Sequence, residues 1–378
     1  MPPVRCLRTS ILVLVAALVC AGARPAADHI VASPDNPLPC RQPQLAVDGG
    51  TVYLACAANN TILIAHSTDG GRSFAQPTTI ASVPSLALGM HRGPRIAATD
   101  DGLVVTAIAG RLGNGQDGDL LAWRSVDRGV TWTGPVTVND VPAAAREGLH
   151  AMAARGNTVV TAWLDLREKG TRLYAAASDD GGRTWAADAL VYQSPSGTIC
   201  TCCHPSLAIA VDGTILAMFR NVVDGDRDFY LVKSTNGQFG AAEKIGAGTW
   251  RFDSCPMDGG GITTTAGGGI ETVWRREKTV FLARIGQKEV AVGDGVNPAL
   301  VETPDGPAVA WNATDGLLIA APNRDTMLLD SAGKFVALAS TEAGIIAAWE
   351  RGEQTLTRAL PPPARAMRGA AAPATGSR

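Results

Sequence analysis

Ser-Asp-Asp-Gly-Gly-Arg-Thr-Trp, residues 178–185, decides the fold because the chain writes it more than once. Ser-Thr-Asp-Gly-Gly-Arg-Ser-Phe fills 67–74 and Ser-Val-Asp-Arg-Gly-Val-Thr-Trp fills 125–132, while 234–239 holds a decayed copy, Ser-Thr-Asn-Gly-Gln-Phe. The shared pattern is Ser-x-Asp-x-Gly-x-Ser/Thr-aromatic, and it specifies a hairpin. Asp69, Asp127 and Asp180 offer carboxylates to turn amides, glycine takes the positive φ, and the aromatic packs between sheets. These aspartates hold turns, and no catalytic role is expected of them.

A second repeat surrounds the first. QPQLAVDGGTVYLAC opens at Gln42, and GPRIAATDDGLVVTAI, HAMAARGNTVVTAWLD, HPSLAIAVDGTILAMFR, CPMDGGGITTTAGGGIETVW, NPALVETPDGPAVAW and FVALASTEAGIIAAW follow at Gly93, His150, His204, Cys255, Asn297 and Phe335. Each reads as a strand, an Asp- or Gly-rich turn, and a second strand often ending near Trp. Openings recur at roughly 40 to 55 residues, the length of one four-stranded propeller blade. The expected fold is therefore an all-β propeller of four-stranded blades over 37–360. The openings count to seven, and six stays open because the last two units are short. The piece HIVAS at 29–33, within a linker over 24–36, is a candidate strand to close the last blade.

Composition agrees. Only 18% of residues are charged and 42 are Gly, which suits short strands joined by tight turns. A net charge of -2 gives no electrostatic case for nucleic acid or an anionic membrane. Arg5 and Arg8 precede the apolar run ILVLVAALVCAGA, too short to span a bilayer, and Ala21-Gly22-Ala23 supplies small residues for cleavage. Residues 1–23 thus read as a signal peptide, with a periplasmic or secreted destination and no membrane insertion. The Pro/Ala-rich tail over 361–378 lacks apolar periodicity and is expected to be disordered.

The 67–74, 125–132 and 178–185 motifs resemble the Asp-boxes (BNR repeats) of the sialidase superfamily, whose members are β-propellers. That resemblance implies three arginines gripping a substrate carboxylate, a Tyr nucleophile activated by a Glu, and an Asp acid/base. His91-Arg92-Gly93-Pro94 resembles the family's Phe-Arg-Ile-Pro and implies Arg92 as first arginine. Arg111 follows where the family often has another, and Asp117 falls at the acid/base position. The alternative makes Arg92 and Arg111 surface loop residues and Asp117 a turn residue. His204-Pro205-Ser206-Leu207 resembles Glu-Pro-Ser-Leu, so Arg220 fits the second arginine and His204 stands in for the Glu. Arg275 or Arg276 offers the third, with Arg276 preferred. Glu350 matches the glutamate that steadies the first arginine, and Phe335 stands where the Tyr opens its strand. Phe has no hydroxyl, so a covalent glycosyl–tyrosine intermediate is not available.

Aligning the openings gives a ring of residues, Gln42, Gly93, His150, His204, Cys255 and Asn297, expected near one mouth of the channel. His150, His204, Cys255 and Met257 then form an alternative set for copper or another soft metal, in place of no cofactor. Outside the leader the cysteines number six, and an even count in an exported chain favours disulfides. Cys40 is expected to pair with Cys56, and Cys255 with one of Cys200, Cys202 and Cys203. With Cys40 and Cys56 paired, the four sulfurs of Cys200, Cys202, Cys203 and Cys255 remain for two bridges. The expected function is recognition or exo-α-sialidase-type hydrolysis of an acidic glycan or other carboxylate ligand. An exported metal-binding propeller and a non-catalytic protein-binding propeller are the alternatives.

Overall fold

A computed structural model of the chain describes residues 29–30, 37–235 and 237–362. The expected leader, most of the 24–36 segment, Asn236 of the decayed motif, and the tail from 363 onward lie outside these residues.

The repeats become seven antiparallel sheets whose innermost strands contact each other in a closed ring. This is a β-propeller of seven blades. Blade one runs outward through Arg41–Asp48, Thr51–Ala58, Thr61–Ser67 and Thr78–Ser82. Second strands are the most buried: Thr51–Ala58, Gly102–Gly110 and Thr158–Asp165 are apolar almost throughout. Strict alternation is lost because neighbouring blades cover both faces of each sheet. The tryptophans that end these strands keep a polar tether while buried. Trp163 and Trp349 donate Nε1–H to Asp165 (2.8 Å) and Asp330 (2.7 Å). Burying one such side chain contributes about 1.5–3 kcal/mol.

The Asp-boxes behave as the sequence implies. Asp180 accepts from the Thr184 amide at 2.8 Å and its hydroxyl at 2.6 Å, and from the Ser178 hydroxyl at 2.8 Å. Asp127 and Asp69 repeat the pattern. The box is also a spacer between blades. Gly71 sits at φ +82°, and a Cβ there would stand 2.5 Å from Ile346 Cγ1 of blade seven.

Ring closure differs from the expectation. The seventh sheet has three strands, Lys334–Thr341, Gly344–Arg351 and Gln354–Leu360. Leu38 supplies its outer partner, exchanging two 2.9 Å hydrogen bonds with Thr355. His29–Ile30 of the HIVAS piece pairs instead with Phe74–Ala75 beside the first Asp-box. The Cys40–Cys56 disulfide ties the closing segment to the second strand of blade one.

Candidate functional site

The first strand of each blade begins, and the second ends, at one mouth of the channel, so both sets of termini surround it. Register fixes equivalent positions. Ser206 opposes Met218 and Gly261 opposes Val273, so Arg220 and Arg275 are equivalent. The same count places Asn312 and Glu350 in blades six and seven. In blades one, six and seven a bulge sets Gln42, Asn297 and Phe335 at φ 53°, 53° and 52°.

His91 fills the centre of this mouth. It lies in a tight turn closed by two bonds between Gly89 and Arg92, with Met90 and His91 at φ 52° and 67°. Its Nε2 bonds Asn297 Oδ1 at 2.9 Å across the ring. Its imidazole lies 4.3 Å from the His204 ring and 4.8 Å, edge-on, from Phe335. Arg95 holds the turn from below, donating to the carbonyls of His91 (2.6 Å), Pro94 (3.0 Å) and Gly93 (3.3 Å). His204 in turn depends on Gly259, where a Cβ would come within 2.5 Å of the ring.

The electrostatics follow from burial beside fixed cations. Burial and the Arg95 and Arg92 charges press the His91 pKa down to about 4, against a bond from Asn297 that raises it. His204 is held well below its ordinary value by burial, then by His91 and Arg95. His150 is held down likewise by burial and Arg95, with Nε2 3.1 Å from Thr106 Oγ1. Burial brings the Arg95 guanidinium down to about 10. All three imidazoles are neutral near pH 7.

Around this plug the sequence-derived residues are distributed as follows. Glu350 is gripped by Arg41 (Nη2, 2.8 Å) and by the Gln42 amide side chain (2.8 Å), so its arginine is Arg41 and not Arg92. Arg92 is half-buried and donates to the Glu147 carbonyl at 2.7 Å. Asp117 accepts from the backbone amides of Arg111 (2.7 Å) and Leu112 (2.9 Å), and these bonds lower its pKa. It is an ionised loop cap, and the Arg111 side chain is exposed. Arg220 is buried and donates to Asp258 (3.1 Å) and to the carbonyls of Arg227 and Arg275. Arg275 reaches the other Asp258 oxygen at 2.7 Å. Trp250 lies 5.0 Å from both guanidinium carbons. Arg276, one residue on, faces the other way and pairs with Glu289 over Phe281. The structure therefore joins Arg220 with Arg275 through Asp258, and it does not join Arg92, Arg111 or Arg276 to that pair.

The ring of openings also needs a correction. Gly259, not Cys255, holds the place of His204 in blade five, since the inner strand starts at Gly261. Cys255 is exposed and disulfide-bonded to Cys202, so the set of His150, His204, Cys255 and Met257 does not assemble around an ion. Cys200 and Cys203 are buried thiols, so the four sulfurs make one bridge and not two. Among the described residues, the cluster with metal-ligand spacing is Cys200, Cys202 and Cys203, with sulfurs within 4.8 Å of one another.

Two cavities meet at the mouth. One of about 220 Å³ runs down the channel past Gln44, Arg95, Met152 and Ser206. The other, about 480 Å³ and open to solvent, is lined by Met90, Met257, Asn297, Asn312, Lys334 and Phe335. Sequence reasoning passed over Arg41, Arg95 and Asp258. Arg41-Gln42-Pro43 stands in phase with Arg92-Gly93-Pro94, and that was the available signal for Arg41.

No protein-family description matches the sequence, and no curated protein does. Solved structures do. A protein of unknown function from Dyadobacter fermentans DSM 18053 aligns over 84% of this chain and 93% of its own, at 15% identity and a TM-score of 0.51. An α-L-arabinanase of Penicillium chrysogenum, complexed with arabinobiose, aligns over 81% and 96% at 14% identity and TM-score 0.50. A leech intramolecular trans-sialidase aligns over 77% and 68% at 11% identity and TM-score 0.48. At these identities the likeness defines the fold alone, a β-propeller.

Proposed function

We propose that this chain is an exported sialidase-like propeller that recognises an acidic sugar at its channel mouth without hydrolysing it. The observation that carries the reading is the 480 Å³ cavity with Phe335 on its wall. Its volume suits a single sugar unit, within the roughly 300–1,000 Å³ common to ligand pockets. Met90, Met257 and Phe335 offer an apolar floor, Asn297 and Asn312 offer amides, and Lys334 is an exposed cation for a carboxylate. The chemistry of hydrolysis is missing at each step. Phe335 brings no nucleophilic oxygen, His204 is a neutral imidazole in the glutamate's place, and Asp117 is a stabilised carboxylate with little tendency to donate a proton. The apolar leader and the two disulfides support an oxidising, extracytoplasmic setting.

The test is calorimetric titration with free sialic acid and with a neutral hexose, beside a fluorogenic sialoside assay. Binding of the acidic sugar alone is expected, weakened at least tenfold in Lys334→Ala, with no turnover. Turnover of the sialoside, or no binding of any acidic monosaccharide by folded protein, overturns the reading. A soft-metal function is the second reading, favoured by Met90 and Met257 lining one cavity; stoichiometric copper after chelator-free purification supports it.

A further inference from the structure

Sugar recognition leaves unused the cysteine cluster where blade four meets blade five. Cys200 and Cys203 stand in C-x-x-C spacing, the arrangement of exchange-active dithiols, and both are buried thiols. Between them in sequence lies Cys202, already bridged to Cys255. Cys200 Sγ is 3.6 Å from Cys202 Sγ, and the sulfurs of Cys200, Cys202 and Cys203 all lie within 4.8 Å of one another. A dithiol is thus packed against a disulfide, whose far sulfur belongs to a solvent-exposed residue.

The surroundings distinguish the two thiols. Arg227 Nη1 is 3.7 Å from Cys200 Sγ, and the Cys200 amide donates to the carbonyl of the buried Arg220 at 3.0 Å. Cys200 is stabilised as thiolate by a hydrogen bond from Cys203, by the Cys202 amide and by these two arginines. Burial and the neighbouring Cys200 push Cys203 the other way. One sulfur is therefore a nucleophile and the other a proton-bearing partner, as exchange requires.

We propose that Cys200, Cys202, Cys203 and Cys255 form a thiol–disulfide exchange site that passes a disulfide between the buried pair, Cys200 and Cys203, and the outer pair, Cys202 and Cys255. Cys200 thiolate attacks Cys202 Sγ, forming the 200–202 bond and expelling Cys255 as a thiolate, which takes up a proton. Cys203, giving up its proton, attacks Cys200 Sγ and expels Cys202 as a thiolate, which is protonated in turn. The product has a Cys200–Cys203 disulfide and thiols at Cys202 and Cys255. Two electrons and two protons move from the inner pair to the outer pair, and no external oxidant is consumed. The exposed Cys255 thiol is then the point at which the site meets a disulfide on another molecule.

The test traps that thiol. Folded full-length protein is incubated without reductant in excess N-ethylmaleimide, and its disulfides are mapped over time by non-reducing digestion and mass spectrometry. The expected course is labelling of Cys255 and Cys202, with a Cys200–Cys203 bridge growing in parallel. Cys200→Ser lowers the initial rate of Cys255 labelling at least tenfold. Cys203→Ser stops the process at a Cys200–Cys202 bridge with Cys255 labelled. The proposal is overturned if the wild-type map never changes, if both pairs are already bridged in purified protein, or if the four sulfurs hold stoichiometric zinc. Undiminished labelling of Cys255 in Cys200→Ser overturns it too, since local opening then explains the exposure. If that variant does not fold, the wild-type time course decides alone.

Discussion

The His91 plug makes acid stability a direct readout of the channel mouth. His91 has a folded pKa of about 4 against an ordinary 6.5, so it stays neutral in the fold while the unfolded chain protonates. The unfolded state then binds more protons between these values, and stability rises with pH across that window. The contribution is fully present above pH 6.5 and is lost as pH falls towards 4. Going from pH 7 to pH 5, one such histidine costs about 2 kcal/mol. His150 and His204, both shifted down, act in the same direction, while carboxyls raised by burial, Glu147 and Asp188 among them, act against it. A difference measurement removes that background. Urea unfolding of wild type and His91→Gln is compared at pH 7, 6 and 5; glutamine keeps an amide for Asn297 and cannot titrate. Wild type is expected to lose about 2 kcal/mol more than the variant over this range. Equal losses refute the argument, because His91 is then not held neutral by its surroundings.

Other outcomes test other layers. Asp258→Asn leaves Arg220 and Arg275 buried with no counter-charge, and unfolding free energy should drop by about 3–5 kcal/mol. The triple replacement Arg220→Met, Asp258→Leu, Arg275→Met should recover most of that loss in the same urea titration. Gly71→Ala meets a left-handed φ and the Ile346 side chain together, for a loss of about 2–4 kcal/mol. Gly213→Ala, at φ +86° with open space around it, should incur the backbone part alone, and the two midpoints measure the blade contact by difference.

The fold was legible because its signals are local. A hairpin needs Ser, Asp, Gly and an aromatic at fixed offsets, and the three full copies each made the turn they spelled. The opening strands were legible for the same reason, and seven openings became seven blades. The site was harder, because its chemistry depends on one-residue parity and on contacts across the ring. Arg275 and Arg276 are adjacent in sequence but lie on opposite faces of one strand, and the face decides which is near Asp258. In Cys255-Pro256-Met257-Asp258-Gly259 the frame slipped by four positions, because a proline follows the opening residue in four other blades and glycine stands there here. His91 stands beside Arg92 in the second opening, but its contacts could not be foreseen from spacing. Its partners are Asn297, His204 and Phe335, supplied by three other blades, and its turn carries no repeated signature.

The seam that closes the ring has a consequence for the order of assembly. Leu38, Arg41 and Gln42 are bonded to Thr355, Glu350 and Glu353. The first blade therefore waits, with its inner edge unpartnered, until the last one has been synthesised. For a chain made from its N-terminus, the latch is present from the start but has nothing to catch until more than 300 residues have followed. A circular permutant joining the seventh blade to the first and opening elsewhere would move that wait to another pair of blades. Its refolding rate would then report how far closure of the ring, and not formation of any single blade, sets the pace of folding.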